Sequence, residues 1–375
     1  MKRILFMSEE EARTTLYCAG LSGEYEFYVV GNAAKNETIQ YHPMCKKFID
    51  LKNDLAFTEN SQPLIDELIA IIKSEKIDVL LPVSIACLMV IDKHKAEIQE
   101  HTLITPFPTK ESVDLLDNKY HFYNFCKEND IAHPDSVYVK SSQQINASEP
   151  GINYPMLIKP VLGAGGFDTL VYVKTEQEMN EFLARPDEKK EGYFPALLQE
   201  FFEGEDIDFN GYSIDGDVIA SSVMRTDFYE KDPELFFTYF VEDDAVIELG
   251  NKILKAGKYS GPTNIDMRIR ASDGKLMLIE VNPRYWARVN VSLMDGMNFL
   301  DIGIKATLNE PYISKSKCSS RKWVSSFSPL ITAIVKNRDF SYIKYLFTIS
   351  LTQIKYMAFH KKFYAHAKNM IKNNK

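Results

Sequence analysis

Cysteine is scarce and unpaired in this chain. Five are scattered over 375 residues (Cys18, Cys45, Cys87, Cys126 and Cys318), an odd number with no Cys-x-x-Cys pair. That pattern argues against a disulfide framework or a zinc site and reads as reduced thiols of a cytosolic protein. None has a neighbouring His that would mark a nucleophile, so buried structural thiols are expected. No signal peptide is expected either: Met1-Lys-Arg-Ile-Leu-Phe-Met7 reads as a strand, and Glu9-Glu-Glu11 cuts off any apolar core. Long apolar runs are also missing. The densest stretch, Phe340–Phe363, is broken by Lys344, Lys355, Lys361 and Lys362, whereas a spanning helix needs about 20 largely apolar residues. No Gly-x-Gly-x-x-Gly follows the first strand. Ser8-Glu-Glu-Glu-Ala-Arg13 stands there instead, and its carboxylates would repel a pyrophosphate, which argues against a dinucleotide-dependent dehydrogenase.

What is present suits two or three domains, because 45% of the residues are hydrophobic and cores of good size are available. Residues 1–107 read as a small α/β unit, with strands at Ile4–Met7, Tyr25–Val30 and Asp78–Pro82 and a helix at Leu64–Ile72. Pro108-Thr-Lys-Glu-Ser-Val113 opens a helix, Lys119 lies in a second, Lys174–Leu183 is a third, and Pro186–Gly192 is a charged loop. Thr226–Tyr239 is rich in Phe and Tyr and reads as irregular, either a cover over a site or a packed surface loop. The last segment, 313–375, differs in charge. Eleven Lys and two Arg face the single Asp339, a net of about +12, so with −8 overall the first 312 residues carry about −20. Three readings of this tail stay open: helices packed on the acidic body, contact with an anionic membrane surface, or nucleic-acid binding, against which the acidic body argues.

The most informative stretch is Met277-Leu-Ile-Glu-Val-Asn-Pro-Arg284. Alternate residues of a strand share a face, so Glu280, Asn282 and Arg284 project together, with Pro283 ending the ladder. A carboxylate and an amide oxygen are hard ligands suited to Mg²⁺, and a guanidinium beside them can hold a second anion or a developing oxyanion. Upstream, Asn-Ile-Asp-Met-Arg-Ile269 forms a second apolar strand across the turn Ala271-Ser-Asp-Gly274, which reads as a β-hairpin. Asp266 and Glu280 then face each other, and two carboxylates so placed call for cations between them. Tyr154–Pro160 delivers Lys159 at a strand end, followed by Val-Leu-Gly163-Ala-Gly165-Gly166. Such glycines let backbone amides approach an anion, and the lysine reads as phosphate-binding. The loop lacks the Gly-Lys-Ser/Thr of a Walker A sequence. Leu197-Leu-Gln-Glu-Phe-Phe-Glu-Gly204 is a buried strand, then a turn, then an alternating strand with Asp206 and Asp208. Its backbone from Glu200 to Phe202 suits the edge of a flat heterocycle, and either aspartate suits ribose hydroxyls.

Taken in order, Asp117-Asn-Lys119, Lys159-Pro160 with its glycine loop, Gln199-Glu-Phe-Phe-Glu-Gly204, Asp266 and Glu280-Val-Asn-Pro-Arg284 resemble the ATP-grasp superfamily over roughly residues 108–312. The resemblance implies a mixed α/β and α+β architecture: an N-terminal Rossmann-like pre-grasp domain (1–107), an ATP-grasp domain (108–312) and a helical tail (313–375). It also implies that Lys119 and Lys159 contact ATP phosphates beneath the loop carrying Gly163, Gly165 and Gly166. Gln199, Glu200, Phe201 and Phe202 would surround adenine, and Asp206, with Asp208 near it, would hold ribose. Asp266, Glu280 and Asn282 would coordinate two Mg²⁺, with Mn²⁺ able to substitute, and Arg284 would stabilise an acyl-phosphate. Some members carry Arg two residues before the first metal carboxylate, where this chain has Asn264; Arg268 or Arg288 is the expected replacement. The pre-grasp domain would wall a second-substrate cleft, with Pro82-Val-Ser84 as its contribution.

The activity so implied is ligation of a small carboxylate to a small amine through an acyl-phosphate, in the cytoplasm, with peripheral contact to the inner face of the cytoplasmic membrane as one use of the tail. No nucleic-acid partner is expected, and a homodimer is a compatible assembly. The different-class alternative is a non-catalytic ATP-binding regulator or scaffold, which would have no need of a complete metal set.

Overall fold

Parallel strands covered on both faces must be short apolar runs, and the chain begins with several. In the computed structural model, which describes residues 1–9, 12–53, 55, 60–163, 170–229, 232–325 and 327–373, these are β1 (Lys2–Met7), β2 (Tyr25–Gly31), β3 (Cys45–Asp50), β4 (Val79–Pro82) and β5 (Leu103–Ile104). They form a parallel sheet of order β3-β2-β1-β4-β5. The two-residue period sorts their side chains. Ile4, Phe6, Phe27, Val29, Val79 and Leu81 enter one core, shared with helices Arg13–Gly20 and Phe299–Leu308. Leu5, Met7, Tyr28, Val30 and Leu80 enter the other, against helix Gln62–Glu75. Pro63 opens that helix, and Lys76, in the left-handed region at φ 52°, closes it.

The chain divides into two compact units. One holds Met1–Lys110, Phe209–Asn264 and Pro283–Lys375; the other holds Glu111–Asp208 and Ile265–Asn282. In the second unit β6 (Ser136–Val139), β7 (Met156–Pro160), β8 (Val171–Val173) and β9 (Ala196–Glu200) make an antiparallel sheet of order β6-β9-β7-β8. Met156, Ile158, Val173 and Leu198 pack there with Met179 and Phe182 of helix Glu176–Leu183. Five longer strands follow: β10 (Gly204–Ile214), β11 (Asp217–Tyr229), β12 (Asp232–Val241), β13 (Gly261–Arg270) and β14 (Leu276–Asn282). In the second unit β14 neighbours β13, and β13 neighbours β10. Gly204 is required there, because a Cβ would sit 2.2 Å from the Ile269 carbonyl oxygen. In the first unit β10, β11 and β12 continue in order to β15 (Trp323–Val324).

One expectation is overturned here. Over its described residues Thr226–Tyr239 is strand: β11 and β12 pair antiparallel, from Val223 opposite Val241 to Phe228 opposite Phe236, with a register shift between Phe228 and Tyr229; residues 230 and 231 lie outside the described residues. Aromatic and β-branched residues suit a pleated surface, and alternation sends Phe237 into the core while Phe228 remains exposed. The charged stretch after Pro186 is likewise ordered, as helix Asp187–Lys190 and a 3-10 turn Glu191–Tyr193.

The tail is helical and packs within the first unit. Helices Phe327–Val335 and Ile343–Thr348 precede a long one, Leu351–Asn373. The long helix buries a stripe. Tyr356 donates to or accepts from Thr14 Oγ1 at 2.8 Å and meets Tyr17 edge-on at 5.2 Å, and Phe359 and Phe363 flank His42 at 5.2 and 5.0 Å. Gln353, also buried, accepts from Val324 N at 3.0 Å and donates to Val324 O at 2.5 Å. No helix among the described residues is long and apolar enough to cross a membrane.

Candidate active site

Lysine is almost never buried unless charges accompany it, and Lys159, near the end of β7, is only 7% exposed. Burial pulls its ammonium down to about 8. The Glu280 and Asp266 carboxylates oppose that pull, while Lys119 and Arg268 add to it. One buried cation therefore feels two carboxylates and two further cations, all from the second unit.

Each of these groups is delivered by local structure. Asn118 caps helix Lys119–Glu128, its Oδ1 accepting from Tyr120 N and His121 N at 3.0 and 3.1 Å. This fixes Lys119 on the first turn. Its backbone N–H donates to Val161 O at 3.1 Å, and its Nζ donates to Gly163 O at 3.2 Å. Lys119 thus reaches the start of the glycine loop that follows β7. Gly163 has φ +111° with no heavy atom within 4 Å of a would-be Cβ, so the backbone conformation, not crowding, selects glycine. Gly165 and Gly166 lie outside the described residues.

The turn Ala271–Gly274 joins β13 to β14, with Arg270 N donating to Lys275 O at 2.9 Å. Asp266 on β13 and Asn282 on β14 meet: Asn282 Nδ2 donates to Asp266 Oδ2 at 3.4 Å. Glu280 and Asn282 share the strand period and are both half-buried. Two carboxylates and an amide oxygen on neighbouring strands, beside lysines suited to an anion, are a donor set that fits a hard divalent cation. β14 ends at Asn282, so the alternation argument stops short of Arg284. Arg284 belongs to the first unit, where its Nη1 donates to Tyr285 O at 3.4 Å. Arg288, also there, donates to Thr226 Oγ1 at 3.1 Å and lies over the Phe236 ring.

The strand-to-turn segment after β9 is similarly built. Gln199 is buried and donates to Ser136 Oγ at 3.1 Å. Glu200 N and Phe201 N donate to Asp135 O and Pro155 O at 2.8 and 3.1 Å, and Phe201 packs on Tyr172 at 4.6 Å. Arg268 Nε donates to Asp206 Oδ1 at 2.6 Å, and its Nη1 donates to Phe202 O at 3.4 Å. One guanidinium thus ties two of the positions read as nucleotide-binding, while Asp208 is buried. Lys119, Lys159, Gln199, Phe122, His133 and Leu278 line one pocket. His133 escaped the sequence reading: a lone His before Pro134 carries no motif, and only the fold sets it beside Tyr123, 4.8 Å between rings.

No family model matches the chain. It is 26% identical over 214 residues to the arginine-specific large chain of carbamoyl phosphate synthase from Geobacillus stearothermophilus, covering 55% of this chain and 20% of that one. It is 23% identical over 243 residues to a D-aspartate ligase from Enterococcus faecium, covering 60% and 57%. The chain therefore spans about a fifth to rather more than half the length of these relatives. Among solved structures it is similar to N5-carboxyaminoimidazole synthetase from Staphylococcus aureus complexed with ADP, at a TM-score of 0.64 and 15% identity, over 86% of this chain and 81% of the other. The fold of the chain is the ATP-grasp fold.

Proposed function

We propose that this ATP-grasp chain is an ATP-dependent ligase joining a small carboxylate to a small amine. The observation that carries the proposal is the surroundings of Lys159. A buried ammonium, within the influence of Glu280 and Asp266 and next to Lys119 at the start of a glycine loop, is costly for stability. The same arrangement is apt for a polyphosphate held through divalent cations. The ADP complex of the S. aureus neighbour and the ligase names among the relatives support the same reading.

In the proposed reaction a substrate carboxylate oxygen attacks the γ-phosphorus of ATP, and the bond to the β,γ-bridging oxygen breaks, giving ADP and an acyl-phosphate. An amine nitrogen then attacks the acyl carbon and loses a proton as the carbon–oxygen bond to phosphate breaks, leaving an amide and inorganic phosphate. Asp266, Glu280 and Asn282 would hold two Mg²⁺, with Mn²⁺ as a substitute, whose chemistry is to neutralise phosphate charge. Lys119, Lys159 and the loop of Gly163, Gly165 and Gly166 hold the phosphates. Gln199 to Phe202 receive adenine, and Asp206 or Asp208 receives ribose. Arg268 positions Asp206 and the Phe202 carbonyl. Phosphoryl transfer asks for placement and charge neutralisation more than covalent participation, and these groups offer both. The cytosol, where ATP and reduced thiols coexist, is the compartment this chemistry suits.

The test is a screen of amino acids and small carboxylates, in pairs, for release of ADP and phosphate with Mg²⁺ present. Release that requires both members of a pair is expected. Stabilisation by Mg-ATP with no turnover on any pair would instead make the chain a nucleotide-binding regulator.

A further inference from the structure

We infer that the outer face of the C-terminal helices is a docking surface for an anionic lipid bilayer. The inference goes beyond the ligase reading and does not depend on it.

The helices of the tail have two faces, and the inner ones are accounted for. Leu330, Ala333 and Ile334 of helix Phe327–Val335 join the core of Phe237 and Val324, and Gln353, Phe363 and Ala367 of the long helix are buried. The outer faces carry apolar side chains that no described residue covers. On the first helix Ile331 and Val335, four residues apart, are 55% and 66% exposed. Phe340 follows, and on the short helix Ile343, Leu346 and Phe347 share a side at i, i+3 and i+4, with Phe347 77% exposed. On the first turns of the long helix Leu351 and Ile354 continue the pattern. Isolated exposed apolar residues are ordinary; a run of them on three successive helices is not.

Charge identifies the occupant. Lys344, Lys355, Lys361, Lys362 and Lys368 are all exposed on these same helices, and Lys336, also exposed, follows the first of them directly. The segment from 313 onward carries about +12 with a single acidic residue, while the preceding 312 carry about −20. Apolar side chains that enter the boundary between headgroup and acyl chain, rimmed by lysines, are the features of an interfacial helix on anionic lipid. The acidic body would be repelled by the same lipid, which orients the molecule with the helices down. A second copy fits less well, because an isologous pairing of this face would bring lysine against lysine. Nucleic acid also fits less well, because the exposed groups are mainly aliphatic and offer few stacking platforms.

The experiment is co-sedimentation of the full chain with phosphatidylcholine vesicles, alone or mixed with phosphatidylserine. The chain is expected to pellet with the mixed vesicles at low salt, to be released as salt rises, and to stay in solution with phosphatidylcholine alone. Phe347→Glu combined with Leu351→Glu, both at exposed positions, should abolish pelleting with thermal melting unchanged. Lys361→Glu combined with Lys362→Glu should lower partitioning by about tenfold or more. Should the first pair melt early, the salt dependence of the unaltered chain and the lysine pair still decide. A full chain that stays in the supernatant with phosphatidylserine vesicles at low salt overturns the inference. So does a concentration-dependent dimer, formed without lipid and dissolved by Phe347→Glu with Leu351→Glu, which would assign the face to a second copy. Binding to a single-stranded oligonucleotide in place of vesicles overturns it as well.

Discussion

Replacing Lys159 with Met should make the ligand-free protein more stable and the ligand-bound protein less so. The ammonium falls from its ordinary 10.5 to about 8 on folding, even with the attraction of Glu280 and Asp266 included. At about 1.4 kcal/mol for each tenfold change in proton affinity, the charged form is penalised by about 3 kcal/mol. Met has nearly the same length, fills the same space and carries no such penalty, so Lys159→Met should gain up to about 3 kcal/mol at pH 7. The pH dependence fixes the cause. Below about 8 both folded and unfolded chains hold the proton, and the penalty is constant. Between about 8 and 10.5 the unfolded chain holds it while the folded chain has released it, so stability of the unaltered protein rises with pH. The advantage of the variant should therefore shrink across that window. Mg-ATP should reverse the ranking, since a ligand that binds only the folded state stabilises in proportion to its affinity, and on the proposed function the variant would lack a phosphate contact. Urea titrations at pH 7, 9 and 10.5, with and without Mg-ATP, measure all three effects. A variant less stable than the parent at pH 7, by a margin that ignores pH, would show that Lys159 is a structural residue and would refute the reasoning.

Other outcomes follow from the same geometry. On the proposed metal site, Asp266→Asn and Glu280→Gln should each cut ADP release by about 100-fold or more in a variant that still folds, because each removes charge that would balance the cation; near-normal turnover in either would refute the metal assignment. Gly163→Ala meets no neighbour within 4 Å, so its cost is conformational, about 1 to 2 kcal/mol confined to the loop. It should weaken Mg-ATP binding in a thermal-shift titration with little change to the unliganded melt. His42 is pulled down to about 3 from 6.5, by burial first and then by His360 and Arg13. The unfolded chain takes up that proton first, so the contribution is whole above about 6.5 and is lost as pH falls towards 3, by about 2 kcal/mol at pH 5. His42→Gln should flatten the acid limb of a stability–pH curve.

The hairpin of β13 and β14, the strand bearing Lys159 and the strand pair around Gly204 were legible because each is an apolar run with a glycine, proline or acidic turn at its end. β3 was not, since Lys46 and Lys47, both exposed, interrupt any apolar alternation. β5 was too short, at two residues, to register any period. Thr226–Tyr239 misled for a different reason: aromatic density obscured an alternation that pairing makes plain. Within the site, Lys119 could be placed on its helix by the Asn118 cap, but its reach to Gly163 O spans 44 positions. Arg268 against Asp206 spans 62 and has no local signature at all. Ladder partners can be guessed from period and turn; side chains that meet across a turn segment cannot, because their distance depends on how the strands twist.

The tail shows the same limit in another form. Packing on the body and lying on a membrane were read as competing uses of one set of apolar residues, as they would be for a helix with a single greasy face. At about 3.6 residues per turn, however, Gln353, Tyr356, Phe359 or His360, Phe363 and Ala367 recur on one side of the long helix, and Leu351, Ile354, Lys355, Lys361 and Lys362 on the other. The inward set contains the buried glutamine that a count of hydrophobic residues would put outside. It satisfies both backbone groups of Val324. The outward set begins with leucine and isoleucine and ends with lysine, an order that packing against the body does nothing to explain. If the inward stripe alone holds the tail in place, Gln353→Leu should cost about 2 to 3 kcal/mol, as two buried backbone groups lose their partner. Vesicle binding of the folded variant should then be unchanged. Loss of both stability and lipid binding in that one variant would mean that the two faces are not separable.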